Sequence, residues 1–179
     1  ITESYNEFNS PLETQIGNNG THIIPDMKYD DNGNLWIVNS GVYPLKMLSA
    51  EGVWYSYSLG GTAKNKYPYR LTIDSKGNKW VGFSGAGIAV FNENGTYSDI
   101  SDDELVALST ASGYGSLPSS DVKALAEDID GEIWIGTETG LSVVYATSTL
   151  FDGEYGDADA QEILLKYGED NRTVPNHLI

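Results

Sequence analysis

Glu127-Asp128-Ile129-Asp130-Gly131-Glu132-Ile133-Trp134-Ile135-Gly136 decides the reading of this chain, because the same stretch occurs twice more in variant form. Residues 29–38 read Tyr-Asp-Asp-Asn-Gly-Asn-Leu-Trp-Ile-Val, and residues 73–82 read Ile-Asp-Ser-Lys-Gly-Asn-Lys-Trp-Val-Gly. All three share Asp-x-x-Gly-x-x-Trp-[Ile/Val], with Asp30, Asp74 and Asp128, then Gly33, Gly77 and Gly131, then Trp36, Trp80 and Trp134. Asp and Gly supply turn geometry, and the flanking β-branched and aromatic residues favour a pleated strand. Each stretch is therefore a β-hairpin with its tryptophan on the return strand.

Outward from each hairpin the period continues. A third strand follows at Leu45–Leu48, at Gly87–Phe91 and at Gly140–Tyr145. A fourth closes the first unit at Gly52–Ser58, and Gly95–Ser98 looks like its shorter counterpart in the second. Four strands per repeat, at intervals of about one blade, define an all-β, β-propeller segment of three complete or near-complete four-stranded blades plus partial flanking blades. The expected bounds are 24–60, 66–100 and 121–150, with an insertion at 101–120 and a partial next blade at 159–179. Ser101-x-x-Glu104 ahead of Leu105, Val106 and Leu108 is a capping-box pattern, so a short helix is expected in the insertion. Closed propellers have about four to eight blades, so three markers describe an incomplete ring. Its open blade edges favour self-association.

Composition narrows the chemistry. With 179 residues the chain can bury a core as one domain, and 20 Gly and 12 Tyr against 6 Pro read as turn-rich and globular. The absence of cysteine excludes disulfides, thiolate metal sites and a cysteine nucleophile. No apolar run spans a membrane, and no charged-then-apolar leader stands at Ile1. A formal charge of -16 argues against nucleic acid as a partner.

Residues 116–141, Ser-Leu-Pro-Ser-Ser-Asp-Val-Lys-Ala-Leu-Ala-Glu-Asp-Ile-Asp-Gly-Glu-Ile-Trp-Ile-Gly-Thr-Glu-Thr-Gly-Leu, closely resemble the two-component regulator propeller repeat, and the other two Trp turns extend the resemblance over most of 26–145. The resemblance implies an extracytoplasmic place, periplasmic or at the cell surface, and one of two roles. One is the sensory propeller of a hybrid two-component regulator, which detects carbohydrate fragments and signals to a kinase. The other is that of the PorZ-type accessory proteins of the type IX secretion system, surface proteins with two propellers and a β-sandwich that are linked to anionic lipopolysaccharide and cargo attachment. Asn34–Asn39 followed by Tyr43–Lys46, then Gly52–Tyr57, and a tail over 157–165 containing Asp159-Ala-Gln161 tilt the reading to the second. The resemblance thus implies a glycan, or a protein of a secretion or signalling complex, as partner.

Candidate chemistry is sparse. The Asp-rich turns offer oxygen ligands, yet Gly falls three residues after the first Asp and a strand follows at once, unlike a calcium loop. No metal and no cofactor are expected. Tryptophans repeated at equivalent positions read as core wedges between blades rather than sugar platforms, with Trp54 less certain. His22 and His177 sit in no catalytic motif, and adjacent acids such as Asp102 and Asp103 read as a solvated face, so no catalysis is expected; a polysaccharide-acting enzyme is the further alternative. One cluster stands out from the acidic background: Lys64, Lys66, Arg70, Lys76 and Lys79 hold half of the 10 basic residues. Tyr67 and Tyr69 lie among them. Lys64, Lys66, Tyr67, Tyr69 and Arg70, read as a loop entering the second blade, are the candidate ligand site, suited to an anionic glycan.

Overall fold

In a computed structural model, described for residues 4–14, 20–153, 156, 158–167 and 172–175, the repeat becomes three four-stranded antiparallel sheets. The first blade contains β1 (Asp26–Tyr29), β2 (Leu35–Val38), β3 (Leu45–Leu48) and β4 (Trp54–Tyr57). The second contains β5 (Tyr67–Ile73), β6 (Lys79–Ser84), β7 (Ile88–Asn92) and β8 (Glu104–Leu108). The third contains β9 (Val122–Glu127), β10 (Ile133–Thr137), β11 (Gly140–Val144) and the short β12 (Gln161–Glu162), and a separate hairpin joins β13 (Leu164–Tyr167) to β14 (Arg172–Pro175). Each blade is a meander in chain order, and the described residues form an open arc of a β-propeller with no closed sheet.

The repeated motif has one explanation in all three copies. The carboxylate of Asp30 accepts Trp36 Nε1–H at 2.9 Å through one oxygen, and the amides of Asn32 and Asn34 at 3.0 and 2.9 Å through the other. Asp74 does the same for Trp80 at 2.9 Å and for the amides of Lys76 and Asn78. Asp128 does so for Trp134 at 2.8 Å and for the amides of Asp130 and Glu132. Gly33, Gly77 and Gly131 take φ of 82°, 84° and 80°, which an L side chain rarely adopts, to close each turn. The aspartate therefore holds both the turn and the indole, and its lone pairs are committed within the hairpin. Burial alone would raise the Asp30 carboxyl, but the donors from Trp36, Asn34 and Asn32 outweigh it and hold the group below the ordinary range. Asp128 is held low chiefly by the Trp134 indole.

Tryptophans then wedge between blades. Trp36, Met47 and Tyr57 of the first blade pack with Leu71, Phe83 and Phe91 of the second. Trp80, Ile88 and Val90 of the second pack with Val122, Ile133 and Ile135 of the third.

The insertion corrects the expectation of a helix. Among the described residues the helical content is one short turn, Thr147–Thr149. Glu104–Leu108 is the outer strand of the second blade, with Val106 opposite Val90 and Leu108 opposite Ile88. Val106 and Leu108, two apart, meet the same core cluster, a period a helix could not satisfy here. Ser101, expected as the cap, instead donates its Oγ–H to Asp99 at 2.6 Å. Gly95–Ser98, expected as that outer strand, is a turn in which Thr96 N–H reaches the Glu93 carbonyl at 2.9 Å. Likewise Gln161 and Glu162, expected to open a further blade, pair with β11 and complete the third. His177 and Asp157 lie outside the described residues.

Candidate functional site

The three innermost strands β1, β5 and β9 stand side by side and are stitched through side chains. Leu71 N–H donates to Asp26 Oδ2 at 3.0 Å, and Thr72 Oγ1–H donates to the Leu125 carbonyl at 3.1 Å. Irregularities at equivalent places mark one end of this inner surface. Pairing of β5 with β6 steps from Pro68–Phe83 to Arg70–Gly82, leaving Tyr69 as an extra residue. Pairing of β9 with β10 steps from Val122–Thr137 to Ala124–Gly136, leaving Lys123 extra. A bulge frees a side chain from the pleat and re-aims it.

The two bulged residues meet. Lys123 Nζ lies 5.7 Å from the centroid of the Tyr69 ring, and the Arg70 guanidinium lies 4.2 Å from the same centroid. Arg70 is held there by a 3.0 Å bond to the Tyr69 carbonyl. Lys123 is held by Asp121 at 3.1 Å, and Asp121 accepts Ser84 Oγ–H at 2.6 Å. Those two donors, Ser84 first, keep the Asp121 carboxyl below the ordinary range. Tyr69 remains 40% exposed and Tyr67 52% exposed, so aromatic surface next to two cations reaches solvent.

Of the expected site residues, Tyr67, Tyr69 and Arg70 lie on strand β5 rather than in a loop, because the strand starts at Tyr67, four residues before Leu71. Lys64 and Lys66 are exposed in the turn before it, and Lys66 lines a shallow cleft of about 470 Å³ with Thr62, Ala86 and Ser120. The remaining members of the basic cluster belong elsewhere. Lys76 Nζ–H donates to Thr147 Oγ1 at 3.0 Å, and Lys79 is buried against Glu93 with its ammonium 4.2 Å from the centroid of the Trp36 ring. Lys79 stands opposite Ile73 at the far end of β5 and Lys76 lies in the turn beyond it, a strand length of about 20 Å from Tyr67. Burial pushes the Lys79 ammonium below its usual range despite Glu93, as expected of a structural lysine. Lys123 was missed by sequence reasoning; the repeat alignment of Tyr69 with Lys123 was the available signal. Trp54 packs edge-on against Tyr5 at 5.2 Å.

This constellation offers an aromatic ring, two cations and a phenolic hydroxyl side by side. It defines an open propeller arc with an aromatic, cationic patch at one end of its inner surface. Residues 116–139 match the family described as the two component regulator propeller. Among solved structures it is similar to PorZ of Porphyromonas gingivalis, an essential bacterial surface component of the type-IX secretion system. That likeness has 22% identity over 98% of this chain and a TM-score of 0.81. It is also similar to the extracellular domain of a putative one-component system of B. thetaiotaomicron, with 20% identity over 83% of this chain and a TM-score of 0.55. Virginiamycin B lyase of Staphylococcus aureus, with 18% identity over 84% of this chain and a TM-score of 0.50, shows that enzymes also use the architecture. The chain spans 25%, 21% and 47% of those three structures respectively. No curated protein sequence matches it. Among the described residues no helix is long and apolar enough to cross a membrane.

Proposed function

We propose that this propeller segment is a non-catalytic binding module of an extracytoplasmic protein, in an accessory role like that of the type IX secretion component it resembles. Its inner patch, Tyr67, Tyr69, Arg70 and Lys123, contacts an anionic glycan. The observation that carries this reading is the Tyr69 ring flanked by Arg70 and Lys123 and left open to solvent. A sugar ring stacks on an aromatic face while Arg and Lys donate charge-assisted hydrogen bonds to its acidic groups. In a chain of net charge -16 a local cationic patch also selects where an anion can approach. The likeness to PorZ over nearly the whole chain supports the secretion role ahead of a sensory one.

Calorimetric titration with oligogalacturonate as the acidic probe and maltoheptaose as the neutral control tests the reading. Exchange of Tyr69 and Lys123 to alanine should weaken the acidic probe roughly tenfold or more and flatten its salt dependence. Equal binding of both sugars, or binding unchanged in the double variant, would sink it.

A further inference from the structure

A second cleft, of about 350 Å³, opens where the outer strands of the first two blades meet, away from the inner patch. Tyr57 of β4, Phe91 of β7 and Leu105 of β8 line it, with Tyr43, Ile100 and Asp103. Its walls are apolar and partly unshielded: Ile100 is 75% exposed, Tyr43 48% and Leu105 40%.

Four carboxylates lie in or near this cleft, and three of them have donors. Asp99 accepts Ser101 Oγ–H at 2.6 Å, Asp102 accepts Thr96 Oγ1–H at 2.8 Å, and Glu93 is paired with Lys79. Asp103 is the exception, because its Oδ1 is buried and accepts no hydrogen bond among the described residues. Burial first, then the charges of Asp102, Glu93 and Asp99, push its carboxyl above the ordinary range. Tyr57 offers no relief, since its hydroxyl donates to the Tyr97 carbonyl at 3.1 Å.

We propose that this cleft receives a lysine or arginine side chain from a partner polypeptide, with the alkyl stem against Phe91, Leu105 and Ile100 and the cationic head on Asp103. A long basic side chain is the ligand that uses both halves of the cleft, because its methylenes suit apolar walls and its head offsets the negative charge of Asp103, which lines the cleft. A neutral hydroxyl would satisfy the oxygen but leave the repulsion among the four acids in place. A hydrated metal ion would make no use of the walls. The net charge of -16 favours approach of a basic segment over long range.

The test uses the whole chain, isotope-labelled, titrated at low ionic strength with n-butylguanidinium and separately with n-butanol while backbone amides and carboxyl carbons are followed by NMR. Guanidinium should shift the amides of Ile100 to Leu105 saturably and pull the Asp103 titration to lower pH. Asp103→Asn should weaken that response roughly tenfold without moving the rest of the spectrum. Ile100→Ser, at an exposed position, should keep the fold and weaken it less. Equal responses to butanol and guanidinium, an unchanged Asp103→Asn variant, or non-saturating shifts spread over the acidic surface would each overturn the assignment.

Discussion

Trp80 and Trp134 occupy the same place in consecutive repeats and make the same bond to the same aspartate, yet Trp80 is wholly buried and Trp134 is partly exposed. Trp80 has the third blade against it, whereas Trp134 has no blade against it among the described residues. The other end of the arc behaves differently again. There the face of the first blade away from the second, carrying Ile37, Lys46 and Trp54, is covered by residues 5–13. Glu13 anchors that cover: it accepts the amides of Val42 and Tyr43 at 2.7 and 3.0 Å and the fully buried Lys46 ammonium at 3.0 Å. Lys46 also donates to the Tyr43 carbonyl. Local turn structure is thus a property of each repeat, while the depth of its core is a property of the neighbour, as nearest-neighbour packing in repeat proteins requires.

The comparison breaks most visibly at the tryptophans. Trp80→Ala should cost about 3–5 kcal/mol, read as a lowered urea midpoint, whereas Trp134→Ala should cost roughly 1–2 kcal/mol because fewer contacts are lost. Equal losses would show that the third blade is covered as fully as the second. Next come the glycines two residues after each of these indoles. A methyl at Gly82 would stand 2.6 Å from a Val122 methyl of the third blade, and one at Gly136 would stand 3.2 Å from Ala124 of its own blade. Gly82→Ala should therefore cost about 1–3 kcal/mol and Gly136→Ala less than about 1 kcal/mol. The same denaturation series checks the order.

A comparably small effect, dependent on pH, belongs to the covered end. Burial would raise the Glu13 carboxyl, but the amides of Val42 and Tyr43 and the Lys46 ammonium outweigh it and lower the pKa on folding. Its contribution is then complete above the unfolded glutamate value, about 4.3, and fades as pH falls through the lower folded value. Glu13→Gln should cost about 1 kcal/mol at neutral pH, quicken hydrogen exchange at Val42 and Tyr43, and remove this component of the acid transition. Exchange unchanged in the variant would mean that the anchor lies elsewhere in residues 5–12.

The Asp-x-x-Gly-x-x-Trp hairpins were legible because the turn amides and the indole that each aspartate accepts lie within six residues of it, so local spacing encodes those bonds. The outer strand of the second blade was not, since Leu105, Val106 and Leu108 fit either period until Val90 and Ile88 stand opposite them. Three of the four residues of the candidate patch, Tyr67, Tyr69 and Arg70, were visible in the sequence. The basic cluster around them misled, because residues close in sequence are carried apart along an extended strand: Lys79 ends in the core, and Lys123, distant in sequence, arrives beside Tyr69.

By itself the sequence determined the hairpins, the blade count of the repeat and the wedge role of Trp36 and Trp80, since short-range turn chemistry and alternation specify them. Only the tertiary structure decided which tryptophan is fully buried, which lysine faces solvent and which carboxylate lacks a donor. Those depend on what the adjacent blade places opposite, and contacts between blades join residues that no local spacing relates.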